Sequence, residues 1–352
     1  MLPYIILCGV IIVFGALCYR KQQPNLTTAF FCVILILFSG LRGEFTADHA
    51  NYSRLFEYVD KAFSFSEILR PEIEFSMEKT FVVLSRFIGC FTDSAVVYTL
   101  VISAITVGLF LRFFRKYSQM PWITILLFVS LGSYLATFNL VRQLLAVAIV
   151  LNAVPYLCDG RWKTYIVIVL AAAMIHRTAL IMLPMGLVLT RRITKLNISL
   201  LLGAAVAVWF LMPNIITFVQ TTIARYSATT YGMGEGTLNA AVPTLGIALF
   251  ALYSISIGDC EFDVSTMENR VMINGMLLHL ITLILGIRVY NVTRFAEYFE
   301  PYALVLTSNL IAGYRNGRER VIVIAAICFI SVVFAYITIS GTGYEPYYTI
   351  FS

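Results

Sequence analysis

Apolar residues fall in runs near 3–19, 26–41, 94–111, 121–138, 140–158, 164–175, 178–190, 196–212, 241–257, 271–287, 295–313 and 321–340. In lipid, a run that crosses the hydrocarbon core must close its own backbone hydrogen bonds, so each run predicts a helix. A full span takes roughly 20 residues, and several runs are shorter than that. The pattern therefore predicts an all-α, polytopic integral membrane protein with about 11–12 transmembrane helices, some of them short or re-entrant. Residues 1–352 read as a single membrane domain, and Leu2–Tyr19 is simply its first span, with Arg20 and Lys21 on the far side.

The polar breaks orient the runs. Basic clusters gather on the cytoplasmic side of a membrane protein. Arg20–Lys21, Arg112/Arg115/Lys116, Arg161/Lys163, Arg191/Arg192/Lys195 and Arg315/Arg318/Arg320 are therefore expected inside. Residues 42–93, 213–240, 288–294 and the C-terminal tail then face outward. Segment 42–93 mixes charges of both signs with aromatics, which suits a folded extracytoplasmic subdomain. Segment 213–240 holds Arg225 and the glycines 232, 234 and 236, which suits a loop or lid. The scheme closes only if 164–190 is two short helices, or a re-entrant pair, meeting at His176. A break at membrane depth is tolerated only against protein or a wet cavity.

Composition adds exclusions. Hydrophobic residues make up 60% and charged residues 12%, with mean hydropathy +0.86. A soluble domain carries about 25% charged residues, so this chain cannot coat a water-soluble particle of its size. The net charge of +6 reflects the cytoplasmic basic clusters and gives no reason to expect nucleic acid. Seven cysteines form no CxxC pair, lie mostly inside apolar runs and read as small hydrophobes. No outward-facing metal motif and no cofactor motif is present in the pattern.

Charges within or beside apolar spans carry the chemistry, because placing them there is costly. Arg142, in Asn139-Leu-Val-Arg-Gln143, opens the fifth run at its outer end. It is either an anion ligand or an arginine reaching for the interface. His176 and Arg177 sit at the break, either functional or holding a turn. Arg288 and Arg294 flank the next outer loop; Arg294 faces either a ligand or Glu297 one turn on. Arg225 adds a further outer cation. Arginines on the outer side point to a shared anionic partner, and the guanidinium fork suits phosphate oxygens. Asp48 and Tyr52, then Glu72 and Glu74 in Arg70-Pro-Glu-Ile-Glu74, supply carboxylates and an aromatic able to bind sugar hydroxyls or take a proton. His279, mid-span with no charge nearby, reads as a packed core histidine.

With these residues in order, the chain resembles the Wzy-type polysaccharide polymerases in their EpsG-like branch. The matching pieces are Asp48-His-Ala-Asn-Tyr52 with Phe56, Glu72/Glu74 with Phe75, and Arg142-Gln143-Leu-Leu-Ala146. Ala173-Met-Ile-His-Arg-Thr-Ala-Leu-Ile181 with Pro184 follows, then Arg294-Phe-Ala-Glu-Tyr298-Phe299. Ile-Glu stands where family members often show Pro-Gly near Glu72, so Glu72 and Glu74 carry over only weakly. The resemblance implies a GT-C-like architecture in a bacterial inner membrane, with the active site facing the periplasm or outside. It implies a metal-independent glycosyltransferase that moves a growing glycan from polyprenyl diphosphate onto the next lipid-linked repeat unit. Arg142 and Arg294 would stabilise the leaving diphosphate and His176 would be the base or a phosphate ligand. Asp48, Tyr52, Glu72, Glu74, Gln143, Arg177, Arg225, Arg288 and Tyr298 would bind substrate. Partners would be the lipid-linked oligosaccharide, membrane lipid, a chain-length regulator and a flippase. Two other readings stay open: a ligase-like glycosyltransferase of the O-antigen type, and a flippase or exporter of the same lipid-linked sugar.

Overall fold

The computed structural model describes residues 1–43, 46, 48–222, 241–256, 260–340 and 344–351. Its contacts divide into two compact units, Met1–Leu183 with Tyr314–Ser352, and Pro184–Gly313. The described residues contain helices and no strand, with one isolated bridge between Arg42 and Thr349.

The first unit opens with α1 (Leu2–Arg20) and α2 (Pro24–Gly40). Each has a proline in its first turn, where the absent N–H leaves no helical bond unmade. Three helices then fill the stretch between α2 and the next span: α3 (His49–Ala62), α4 (Phe65–Leu69) and α5 (Lys79–Gly89). A capping box of Ser64 and Glu67 starts α4. The apolar faces of these helices bury Val59, Ile68 and Val82 together.

Next come α6 (Ala95–Tyr117), α7 (Pro121–Ser130), α8 (Ser133–Asn139), α9 (Val141–Leu151), α10 (Val154–Cys158) and α11 (Trp162–Ile175). Ser94 caps α6, which packs along α2. A side-chain carbon at Gly40 would collide with Leu100, so glycine permits that approach. Between α7 and α8 the axis bends by 54° at Gly132, whose φ of +102° is open to glycine at little cost. Helix α11 stops at His176, an extended residue (φ −152°, ψ 117°), and a 3-10 turn follows over Arg177–Ile181. The expected interruption of 164–190 at His176 is thus present.

The second unit takes most of α12 (Met182–Leu189), then α13 (Lys195–Thr222), α14 (Val242–Ser256), α15 (Met267–Arg288), α16 (Thr293–Ala296) and α17 (Glu300–Gly313). Gly275 of α15 lies against Tyr302 of α17, again with no room for a side chain. His279 is buried and its Nδ1 is 3.1 Å from the Thr244 hydroxyl, so it is a hydrogen-bonded core histidine as its sequence setting suggests.

The last helix, α18 (Gly317–Ile339), returns to the first unit and is capped by Asn316. Beyond it, Tyr344 accepts a hydrogen bond from Tyr4 Oη at 2.7 Å, and Tyr347 Oη donates to the Phe38 carbonyl at 2.6 Å. The Gly43 N–H donates to the Tyr348 carbonyl at 2.9 Å and the Ile350 N–H to Leu41 at 3.1 Å. The tail thus braces the turn that follows α2.

Among the described residues α1, α6, α13, α15 and α18, and α9 with α10 taken together over Val141–Cys158, are long and apolar enough to cross a membrane; counting the bent pair α7 and α8 as one span gives seven. Pro24–Gly40, Trp162–Ile175, Arg177–Leu189 and Val242–Ser256 are shorter apolar helices. The chain is an all-α, multi-pass membrane protein. One boundary differs from the sequence pattern. The stretch expected as a loop from residue 213 stays helical through Pro213 to Thr222. Ile215, Ile216, Phe218 and Val219 keep supplying apolar positions, and no glycine interrupts the chain before 232.

Candidate functional site

Four elements of the first unit converge on one carboxylate. Glu78 is the cap residue immediately ahead of α5, with an extended backbone (φ −61°, ψ 131°) that turns its side chain away from the helix. Arg142 lies in the first turn of α9, His176 at the end of α11, and Tyr52 in the first turn of α3. The apolar faces beneath hold these helix ends in place. Tyr52, Phe56, Phe81, Tyr98, Val141 and Ile175 share one buried cluster. Phe56 stacks on Tyr98 at 4.5 Å between centroids, and Ser85 Oγ lies 3.1 Å from Tyr98 Oη.

Arg142 Nη1 donates to Glu78 Oε2 in an ion pair, and Arg142 Nε donates a long bond to Tyr52 Oη at 3.4 Å. His176 Nδ1 is 3.3 Å from the other oxygen, Glu78 Oε1, an ion pair only when the ring is protonated and without hydrogen-bond alignment. The Arg177 N–H also donates to Glu78 Oε1 at 3.4 Å. Partial burial acts to raise the Glu78 carboxyl, but the His176 ring and the Arg142 charge outweigh it and bring the pKa down to about 2. Glu78 is therefore ionised at neutral pH. The side chains of Arg142 and His176 are 20% and 22% exposed and that of Glu78 is 11% exposed, so the cation and imidazole stay reachable while the carboxylate is largely covered.

Tyr52 also lines a small pocket with Arg42, His49 and Thr99. There Arg42, only 3% exposed, donates through Nη1 to the Ser39 carbonyl and through Nη2 to the Phe138 carbonyl at 3.3 Å. Those carbonyls belong to the C-terminal turns of α2 and α8, the negative ends of two helix dipoles, so Arg42 ties the two ends together. Its guanidinium lies 4.8 Å from the Phe138 ring centre. His49 Nε2 is 3.3 Å from Thr99 Oγ1. Burial and the Arg42 charge push the His49 pKa down to about 4, so this histidine is neutral at pH 7.

The fold thus brings together Arg142, His176 and Tyr52 from the sequence-derived set, with Gln143 buried next to Arg142 and Arg177 exposed next to His176. Asp48, partly exposed, stands at the position ahead of α3, and its side chain makes no cap bond there. Glu72 and Glu74 are exposed in the loop and take no part in the cluster; the carboxylate of that loop which meets the arginine and histidine is Glu78. Arg288, Arg294 and Tyr298 belong to the second unit. Arg288 lies over the Trp209 ring at 5.5 Å, Arg294 is exposed on α16, and Tyr298 is buried. Arg225 lies outside the described residues. The sequence reading passed over Glu78, Arg42 and His49. For Glu78 the available signal was position: a carboxylate immediately ahead of an amphipathic helix can reach across the helix start. Among the described residues no three His, Cys, Asp or Glu side chains gather closely enough to hold a metal ion.

Chemically, the cluster offers a fixed guanidinium with free N–H groups, and an imidazole whose Nδ1 faces a carboxylate while Nε2 is left for another partner. That is the equipment for holding an anion and accepting a proton at adjacent points. A sequence profile of the EpsG family matches residues 25–350. No curated protein and no solved structure matches the chain.

Proposed function

The chain belongs to the EpsG family, whose members are Wzy-like polysaccharide polymerases, and from that premise we propose that it extends a glycan on a polyprenyl diphosphate carrier. In this reading the growing chain leaves its own lipid diphosphate and joins the non-reducing end of the next lipid-linked repeat unit. The acceptor hydroxyl attacks the anomeric carbon, and the bond from that carbon to the diphosphate oxygen breaks. The lipid diphosphate departs with the electron pair, and the hydroxyl proton passes to His176 Nε2.

The observation that carries the reading is the sharing of Glu78 by Arg142 and His176. Arg142 and Glu78 neutralise one another in the resting cluster. Proton transfer to His176 then adds positive charge at the same moment that negative charge develops on the leaving diphosphate. The N–H groups of Arg142 not used by Glu78 are the donors for that diphosphate. Glu78 is a positioning residue: it faces Nδ1, favours the tautomer that leaves Nε2 open, and stabilises the imidazolium once formed.

Deleting the gene and resolving the cell-surface glycan on a gel tests the reaction class. Loss of long chains, with a single repeat unit still transferred, is the expected result. Loss of every repeat unit would instead assign the chain to flipping or ligation.

The same reading puts the cluster on the outer face, since the basic clusters are concentrated on the opposite side of the spans. Cys90, exposed at the end of α5, is a natural reporter. In a variant keeping Cys90 as its only cysteine, a membrane-impermeant maleimide is expected to label intact cells. An otherwise Cys-free Arg318→Cys variant is expected to label only after the membrane is opened. The reverse pattern would overturn the orientation.

A further inference from the structure

The second unit carries a groove that plays no part in the reaction above. Between α12 and α13 the chain turns at residues 190–194, and two asparagines pin that turn. Asn274 of α15, buried, donates through Nδ2 to the carbonyls of Leu189 and Arg191 at 2.9 and 2.8 Å. Asn197 Nδ2 donates to the Arg192 carbonyl at 2.8 Å. With the backbone fixed, the Arg191 and Arg192 side chains project outward, exposed and without a side-chain partner among the described residues. Both line a cleft with Arg270 of α15, whose guanidinium is oriented by two bonds to the Ser265 carbonyl, 3.0 and 2.6 Å. Among the described residues no carboxylate lines this cleft.

The cleft adjoins a more apolar one. Arg191, Arg192 and Asn197 border both, and beyond them the walls are Ile198, Leu201 and Leu277. Ile198 and Leu201 stand one turn apart on α13, which rises about 1.5 Å per residue, so the cleft runs from the helix end toward the membrane interior. The apolar stretch of α13 over Lys195–Phe218 has few residues buried by the rest of the described chain. A ligand for this groove must be negative at one end and oily at the other, and must come from the membrane that α13 faces.

We propose that this groove binds an anionic glycerophospholipid, its phosphodiester on Arg191, Arg192 and Arg270 and one acyl chain along Ile198 and Leu201. Three clustered cations select for negative charge, and the adjoining wall holds the chain. A free phosphate ion would use only the first half of the site, and a zwitterionic lipid only the second half fully.

The test uses the full-length protein in detergent, titrated with phosphatidylglycerol or with phosphatidylcholine of identical chains, reading bound lipid by native mass spectrometry. Phosphatidylglycerol is expected to bind at least about tenfold more tightly, given two to three arginines each favouring an anionic headgroup. An Arg191→Gln/Arg192→Gln double variant is expected to lose that preference while binding phosphatidylcholine as before. Raising the salt concentration with unaltered protein is expected to reduce the preference too, which keeps the test independent of how the variant folds. Equal binding of the two lipids, or an unchanged preference in the folded double variant, would overturn the proposal. Tighter binding of a polyprenyl phosphate than of phosphatidylglycerol would reassign the groove to the carrier lipid, and binding of inorganic phosphate with equal strength would discard the acyl half.

Discussion

Arg142→Ala is expected to abolish polymerisation, and Arg142→Lys to restore little of it. Two effects combine in the alanine variant. The first is loss of donors aimed at the leaving diphosphate; removing one well-placed donor of this kind costs on the order of 10²–10³ in rate. The second is exposure of Glu78. Its carboxylate is held ionised by Arg142 and His176, and without the guanidinium a largely covered negative charge would stand where the diphosphate must approach. Lysine restores the charge but not the geometry. The guanidinium serves Glu78 through Nη1 and Tyr52 through Nε while keeping other N–H groups free. An ammonium has three N–H groups on one atom, so with Glu78 and Tyr52 served it has one left and no parallel pair for the ligand. The comparison is made at matched expression, with purified protein and lipid-linked repeat units, measuring binding and turnover separately. Wild-type turnover in the lysine variant would remove the bidentate role.

His176→Gln is the second large effect, expected to slow turnover at least about 100-fold, the lower end of what a general base contributes. Glutamine is of similar size and has an amide able to reach Glu78 Oε1 in place of Nδ1, so the break between α11 and the following turn has a substitute contact. It cannot accept a proton. Normal folding and substrate binding with slow turnover therefore identify the base. Weakened binding with residual turnover would move His176 into the diphosphate-binding set beside Arg142. Near-normal turnover would leave it only the task of holding the turn, and the catalytic proposal would be discarded.

The membrane architecture was legible because a bilayer imposes a minimum length and polarity on every crossing. Most apolar runs therefore match the helices to within a few residues; α6 continues to Tyr117, the run 295–313 is split between α16 and α17, and α13 continues beyond Pro213. The break at His176 was legible for the same reason, since 164–190 is too short for two full spans and too long for one. The carboxylate was not. Glu72, Glu74 and Glu78 share one loop and look alike in sequence; only the start of α5 selects the third and turns it toward Arg142. Arg42 was overlooked because it stands just past an apolar run, where an arginine resembles an interface residue, whereas its partners lie on α2 and α8. Arg288 shows the opposite difficulty. Its position beside an outer loop suggests a ligand, and its contact with the ring of Trp209, on a different helix, is one that no local pattern connects to it.

The brace formed by residues 344–351 bears on when the protein can begin to work. The turn it holds, Leu41–Gly43, leads into the helix that carries Tyr52. A ribosome delivers those closing residues only after all the helices of the first unit have been made. Up to that moment the turn after α2 lacks its partners at Tyr348 and Ile350, and the route to Tyr52 is tethered at one end only. Insertion and completion of this brace are therefore separated in time, and a half-synthesised chain sits in the membrane with the turn after α2 still unbraced.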